Sequence, residues 1–214
     1  MARLGGPLFS LTAKGTIGKS ITYADWKGIQ YARTRVIPAN PQSVEQTKTR
    51  EVFRFLGDYY KFAPGIAREP WIASVTGIPM TAQNKVQQQN VSLLRDALDL
   101  DTMILSPGAR GGIPPASINI TPGSGTLTVA VTAPSLPTGW TITAAQGVVL
   151  RDQDPHDPIL ESPIAVEDTT SAYSLVFSGL TSSEIYQVGV WLKWMTANGD
   201  AAYSVALRDQ GTPS

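Results

Sequence analysis

The feature that most constrains the fold of this chain is a change of pattern near residue 105. Between residues 43 and 98, apolar residues recur at three- and four-residue steps, which is the spacing of helices. From residue 116 onward, apolar and polar residues alternate in short runs, which is the spacing of strands. A Gly- and Pro-rich segment over 106–115 separates the two patterns and predicts a linker. The sequence therefore predicts two modules, residues 1–105 and 116–214, that fold separately.

Composition narrows the classes of function. Of the 214 residues, 42% are hydrophobic and 16% are charged, which predicts a globular chain. Cysteine is absent, which excludes disulfides and thiolate sites, and a single histidine excludes a zinc site with two His ligands. No apolar run approaches the roughly 18 residues of a membrane helix. We expect no catalytic residues, no cofactor, no metal and no membrane contact.

The formal net charge of zero conceals two halves of opposite sign. Residues 1–105 contain 13 basic and 8 acidic residues, a net charge of +5. Residues 106–214 contain 4 basic and 9 acidic residues, a net charge of −5. This asymmetry indicates two modules with different surroundings.

A basic β-ribbon is predicted near the start of the first module. Residues 1–10 have the composition of a loose arm. The alternating runs Ile21–Tyr23 and Ile29–Tyr31 then predict two strands, because they are rich in β-branched and aromatic residues. Asp25–Gly28 lies between the two runs and predicts the turn of a hairpin.

The candidate partner-binding residues lie on this ribbon. Its basic side chains belong to a solvated face, or they meet an acidic partner subunit or nucleic acid. The apolar residues interleaved with them favour a protein partner over nucleic acid. The predicted set consists of Lys14, Lys19, Trp26, Lys27, Tyr31, Arg33 and Arg35.

Three helices are predicted between the ribbon and the linker. Ser43 and Gln46 have the spacing of a capping box, so the first helix is predicted to begin after Ser43 and to run to about Phe62. Pro70 is predicted in the first turn of a short second helix.

The third helix is predicted to be capped by Thr81 and to extend through Leu98. Its uncharged polar row Gln87–Asn90 suits a solvated face or contacts with protein.

The C-terminal module has the pattern of a β-sandwich. About seven short strands with turn signals between them follow Ala116, and Asn198–Asp200 is a strong hairpin turn. The predicted fold is therefore an α+β N-terminal module, a β-ribbon plus helices, followed by an all-β immunoglobulin-like or fibronectin type III-like sandwich.

Three stretches in the C-terminal module resemble fibronectin type III and related immunoglobulin-like domains: Ser178–Leu180, Ile185–Val190 and Ala197–Tyr203. The resemblance covers roughly residues 113–211. It implies that Tyr186 is a corner tyrosine whose hydroxyl bonds the backbone of the turn near Gly179–Ser182. The tryptophan that the family places early in its core is replaced here by Ala133-Pro134, so another tryptophan must fill the core: Trp140, Trp191 or Trp194.

The N-terminal part resembles a family of uncharacterised tailed-phage virion proteins. Four stretches carry the resemblance over about residues 8–100: Leu11–Lys19, Trp26–Gly28, Tyr31–Val36 and Pro38–Gln42. The resemblance implies a non-enzymatic structural protein of the virion that binds other capsid, connector or tail subunits and forms homo-oligomers within the particle. A head decoration or minor capsid protein is the first expectation. A head–tail junction or tail component, or a module that binds host glycan, remains the alternative.

Two local patterns contain residue types found in metal or phosphate sites, but their spacing and context favour a structural role. Asp152–Asp157 combines three aspartates with the single His156, but it lacks the glycine and distal glutamate of a calcium loop, which favours a loop between strands. Gly18–Ser20 ends as a phosphate-binding loop does, yet it lies in a strand context and lacks the first glycine of that motif.

Overall fold

The computed structural model describes residues 2–3, 15–18, 20–26, 29–37 and 39–214, and the side chains of residues 2, 3 and 26 lie outside this description. The chain divides into two compact units, residues 1–42 (unit 1) and residues 43–214 (unit 2). Each unit is described by itself.

The described residues of unit 1 form a four-stranded antiparallel sheet. Its strands are β1 (Ala2–Arg3), β2 (Gly15–Ile17), β3 (Ile21–Trp26) and β4 (Ile29–Thr34), in the order β1-β4-β3-β2. The predicted hairpin is confirmed, since β3 pairs with β4 from Ile21↔Thr34 to Trp26↔Ile29. Residues 2–3 belong to a strand and not to the predicted loose arm, because β1 pairs with β4.

Unit 2 begins with the three predicted helices. They are α1 (Val44–Phe62), α2 (Gly65–Ser74) and α3 (Ala82–Leu94). Thr81 caps α3 as predicted, because its side chain accepts a hydrogen bond from Asn84 N at 3.2 Å. None of the helices in the described part of the chain is long and apolar enough to span a membrane.

Several details of the helices differ from the predictions. Ser43 precedes α1 but makes no side-chain cap bond, so the capping box with Gln46 does not form. Pro70 lies inside α2 and not in its first turn, because the helix begins earlier, at Gly65. The interior proline costs α2 one backbone hydrogen bond, and burial of its ring offsets that loss. The last helix ends at Leu94, four residues before the predicted end.

The remaining strands form two sheets. They are β5 (Pro107–Ala109), β6 (Ser117–Gly123), β7 (Thr126–Thr132), β8 (Thr141–Arg151), β9 (Ile164–Asp168), β10 (Ser174–Ser178), β11 (Tyr186–Met195), β12 (Ala201–Val205) and β13 (Leu207–Gly211). One sheet has the order β10-β7-β6, and the other has the order β5-β12-β11-β8-β9, with β13 also paired to β11. The predicted fold class, with ribbon and helices followed by a β-sandwich, is confirmed.

Strands β8 and β11 are buried on both faces. Val149 and Val190 point to the inner face and belong to the core between the two sheets. Val148 and Trp191 point to the outer face and share a second core with the helices. Unit 2 therefore has three layers, with helices, the larger sheet and the smaller sheet in that order. Strands covered on both faces carry nearly continuous apolar runs, which explains the segment Val148-Val149-Leu150.

The division of the structure differs from the predicted boundary at 106–115. That segment contains β5, which pairs with β12 through Ala109↔Tyr203, and its Ser106 is fully buried. The helices and the sandwich share one of their cores, so they lie in the same compact unit. The physical reason is the outer face of the larger sheet, which is apolar and is covered by the helices.

The segment between α3 and β5 is bonded to both layers. Asn90, predicted on a polar surface row, is fully buried. Its Nδ2 donates to Ile104 O at 3.2 Å, and its Oδ1 accepts from Ile104 N at 2.6 Å. Leu105 lies so close to the sheet that a Cβ added at Gly189 would be 2.5 Å from its Cδ1. A residue with a side chain at position 189 would therefore displace this segment.

The corner tyrosine and the core tryptophan predicted for the sandwich are both identified in the structure. Tyr186 is a corner tyrosine as predicted, because Thr181 N donates to its hydroxyl at 2.9 Å. The hydroxyl in turn donates to Glu161 Oε2 at 2.6 Å. Trp194 fills the inner core, with its ring 6.1 Å from that of Trp140, whereas Trp191 lies on the outer face beneath the helices.

We predict that residues 43–214 unfold as one cooperative unit and that a fragment of residues 113–214 does not fold stably. The fragment would expose apolar side chains that the helices cover, among them Val148, Leu150 and Trp191. Thermal denaturation followed by circular dichroism compares the two chains. A fragment that melts cooperatively at the same temperature as residues 43–214 would show that the helical layer is dispensable.

We also predict that Tyr186→Phe destabilises unit 2 by about 1–3 kcal/mol, because Thr181 N and Glu161 each lose a buried partner. The matched control is Tyr59→Phe in α1. The Tyr59 hydroxyl is buried without a hydrogen-bond partner in the described structure, so its removal should leave stability unchanged or raise it. Chemical denaturation measures both variants, and equal midpoints for the two would contradict the corner role.

Candidate interaction surface

Four of the predicted partner-binding residues lie in or next to the sheet of unit 1. Tyr31 and Arg33 lie in β4, and Arg35 follows the strand, with its backbone N–H donating to Ser20 O at 2.7 Å. Trp26 ends β3 and pairs with Ile29 in the register. Three members of the set lie outside the described residues, so their positions stay predictions: Lys14, Lys19 and Lys27.

The register brings two of these residues onto one face. Tyr31 and Arg33 are two positions apart in β4, so their side chains project to the same side of the sheet. They lie opposite Ala24 and Thr22 of β3, and Arg33 is exposed. This face therefore presents an aromatic ring and a cation to the surroundings.

The opposite face presents isoleucines. Ile17 of β2 pairs directly with Ile21 of β3, and their exposed fractions are 61% and 43%. Beyond the strands, Val36 and Ile37 are also exposed. Among the side chains that the structure describes in residues 1–42, none is buried. Unit 1 thus offers apolar area and positive charge without a core of its own among its described residues.

A second cluster of polar residues lies between α2 and the larger sheet of unit 2. Glu69 Oε2 accepts hydrogen bonds from Lys193 Nζ at 2.9 Å, Gln146 Nε2 at 3.0 Å and Tyr203 Oη at 3.1 Å. This cluster was not predicted from the sequence, because its members are 77 to 134 residues from Glu69 along the chain. No local spacing indicates such a set.

The buried Gln146 extends the cluster across the sheet. Its Nε2 also donates to Glu167 Oε1 at 2.9 Å, and its Oε1 accepts from Trp191 Nε1 at 2.8 Å. Both polar atoms of this fully buried amide are therefore satisfied, as a buried polar group requires. The cluster fixes the position of α2 on the sheet.

Electrostatics in the cluster favour the charged forms of both ionisable partners. Burial alone raises the pKa of Glu69, but the hydrogen bonds from Gln146 and Lys193 outweigh it and hold this pKa below its ordinary value. Burial alone lowers the pKa of Lys193, yet the bond to Glu69 holds it above its ordinary value. Glu69 and Lys193 therefore form an ion pair, and Glu69 also accepts hydrogen bonds from Gln146 and Tyr203. The pair holds α2 on the larger sheet.

Hydrogen bonds hold both the loop at Asp152–Asp157 and the turn at Ser20. His156 Nδ1 lies 2.6 Å from Asp154 Oδ1, and its Nε2 lies 2.9 Å from the Arg95 carbonyl oxygen, so the loop is bonded to the end of α3. Ser20 N donates to Ile17 O at 3.2 Å in the turn after β2, which confirms the strand context of Gly18–Ser20. Within the described residues, no three His, Asp or Glu side chains are grouped to hold a metal ion.

Comparison with known proteins yields structural similarities only. No family model and no curated protein matches this chain. A redesigned β-sandwich protein is 20% identical, with a TM-score of 0.35, and the match covers 48% of this chain and 90% of that one. The fn3 domain of human collagen alpha-1(XX) chain is 18% identical, with a TM-score of 0.36, over 51% of this chain and 91% of that one.

A third solved structure, described as a myokine, is 14% identical, with a TM-score of 0.36, over 49% of this chain and 100% of that one. These similarities are too low to support an argument about function. The sandwich assignment therefore depends on the strand order and the corner tyrosine. The resemblance of the N-terminal part to virion proteins stays a prediction.

We predict that Glu69→Gln destabilises unit 2 at pH 7 by about 1 kcal/mol, a value that allows for solvent screening of this partly exposed pair. A lowered pKa means that ionised Glu69 stabilises the fold at neutral pH and that this contribution is lost on acidification. The stability difference between the two chains should therefore shrink as the pH falls below the ordinary value of 4.5.

Urea denaturation at pH 7 and at acidic pH measures the effect of Glu69→Gln, with Glu51→Gln on α1 as the matched control. A difference from the parent chain that is independent of pH would show that the charge of Glu69 contributes nothing.

Proposed function

We propose that this chain is a structural protein of a tailed-phage particle, a head decoration or minor capsid protein, and that unit 1 docks on a neighbouring subunit. The observation that carries the proposal is the sheet of unit 1, in which no described side chain is buried. The resemblance of residues 8–100 to virion proteins supplies the class of assembly.

The energetics of the sheet call for a covering surface. Small sheets with no covered face are marginally stable in water. Burying an isoleucine side chain stabilises by about 1.5–3 kcal/mol, and Ile17 and Ile21, which share one face of the sheet, are available for such burial. A partner that covers this face would therefore stabilise unit 1 as it binds.

The charge of unit 1 indicates the chemistry of the partner. Residues 1–42 contain six basic residues and a single acidic one, Asp25. Residues 43–214 contain 11 basic and 16 acidic residues, a net charge of −5. An acidic protein surface complements unit 1, whether it belongs to another particle subunit or to a second copy of this chain. The exposed isoleucines favour a protein partner over nucleic acid, which offers phosphates and no matching apolar area.

We predict that a chain lacking residues 1–42 stays folded, because unit 2 has its own cores, yet fails to join particles. The double variant Arg33→Glu/Arg35→Glu should also lower incorporation, because it reduces the net charge of residues 1–42 from +5 to +1. The matched control is Lys61→Glu, which reverses one exposed charge on α1. Incorporation is measured by quantitative protein analysis of purified particles.

The same particles distinguish the proposed position from its alternatives. Separated heads should contain the chain, and separated tails should lack it. Recovery of the chain only in tails would move the proposal to a tail component. Normal incorporation of the chain without residues 1–42 would place the docking surface in unit 2 and overturn the role of the sheet.

A further inference from the structure

We propose that a groove in unit 2 binds a carboxylated sugar of the uronic acid type. The groove has a volume of about 430 Å³ and lies between the end of α2, the helix α3 and the strand β5. The volume lies within the range of small-molecule sites, roughly 300–1,000 Å³. The inference is independent of the docking role of unit 1, because every lining residue belongs to unit 2.

Two cations line the groove, and no carboxylate does. Lys85 Nζ donates to Gln88 Oε1 at 3.3 Å, which occupies one of its three donors. Arg110 pairs through one nitrogen with Asp200 at 3.3 Å, where both side chains are well exposed. Both cations therefore retain donors for a carboxylate that enters the groove.

Ser74 and Thr76 offer hydrogen-bond acceptors to the groove. Ser74 Oγ donates its single hydrogen to Trp71 O at 2.8 Å, so its lone pairs remain for a ligand. Thr76 Oγ1 donates to Ile72 O at 3.4 Å in the same way. Gln89 lines the groove with its side-chain amide, whose Nε2 is a donor and whose Oε1 is buried without a hydrogen-bond partner in the described structure. A ligand with hydroxyl groups and a negative charge therefore complements these side chains.

An acidic sugar has this combination. Its carboxylate matches Lys85 and Arg110, its hydroxyl groups donate to the acceptors, and the C–H face of its ring packs against apolar surface such as Pro107. An acidic peptide side chain also carries a carboxylate, but the peptide donors are backbone N–H groups spaced along the chain, whereas the sugar hydroxyls lie on the same ring as its carboxylate. The set of acceptors therefore favours the sugar over the peptide.

The test measures binding of D-glucuronate to the full chain by nuclear magnetic resonance titration. The comparison ligands are D-glucose, which has the hydroxyls without the charge, acetate, which has the charge without the hydroxyls, and a tetra-aspartate peptide. We expect saturable binding of glucuronate and much weaker binding of the other three. Equal binding of acetate or tighter binding of the peptide would overturn the proposal, as would the absence of glucuronate binding.

Two variants move the affinity in opposite directions. Lys85→Gln should weaken glucuronate binding by about tenfold, because a charged hydrogen bond is lost. Asp200→Asn removes the competing carboxylate from Arg110 and should tighten binding by about two- to fivefold, the worth of an exposed ion pair. The control Lys61→Gln removes a cation on α1 outside the groove and should change nothing. Equal affinities for the Lys85 and Lys61 variants would overturn the assignment.

Discussion

The structure of unit 2 depends on burial of the outer face of its larger sheet. Strands β8 and β11 carry apolar residues on both faces, so the sandwich alone leaves Val148, Leu150 and Trp191 in contact with water. Burial of such side chains is the main favourable term in folding. The three helices supply the cover, and they become part of the same compact unit. The helical layer is therefore a structural part of the sandwich domain.

Polar contacts then fix where the helices lie. Apolar burial is non-directional, whereas Glu69 has one position in which Lys193, Gln146 and Tyr203 all reach its carboxylate. Asn90 does the same for the segment after α3, since it bonds both the N–H and the carbonyl of Ile104. The groove proposed to bind an acidic sugar lies between these fixed elements, so its cations are carried on a preorganised frame.

Unit 1 contrasts with this construction. Its sheet is formed by residues close in sequence, and its described side chains are exposed or only partly buried. The net positive charge of the N-terminal half resides in these first 42 residues, since residues 43–105 contain seven basic and seven acidic residues. Small sheets without a covered face are marginally stable in water. The proposed role in particle assembly therefore belongs to unit 1, whereas the buried cores of the described chain lie in unit 2.

The sequence alone determined those features that local spacing encodes. It located the hairpin of β3 and β4, the three helices and the cap at Thr81, because each follows from a local pattern of residues. The corner tyrosine Tyr186 was predicted from the resemblance to fibronectin type III domains. The sequence also identified Tyr31 and Arg33 as candidate interaction residues, and the register places them on one face. The position of Lys27 and the other basic residues outside the described part stays a prediction.

Only the tertiary structure decided which surfaces meet. Gly and Pro residues at 106–115 have the composition of a linker, yet β5 forms there because β12 offers an unpaired edge. Asn90 lies in a polar row, yet it is buried, because its side-chain amide bonds both the N–H and the carbonyl of Ile104. Glu69 finds partners up to 134 residues away. Contacts of this kind depend on how the helical layer and the two sheets pack together. The spacing of residues along the chain does not determine this packing.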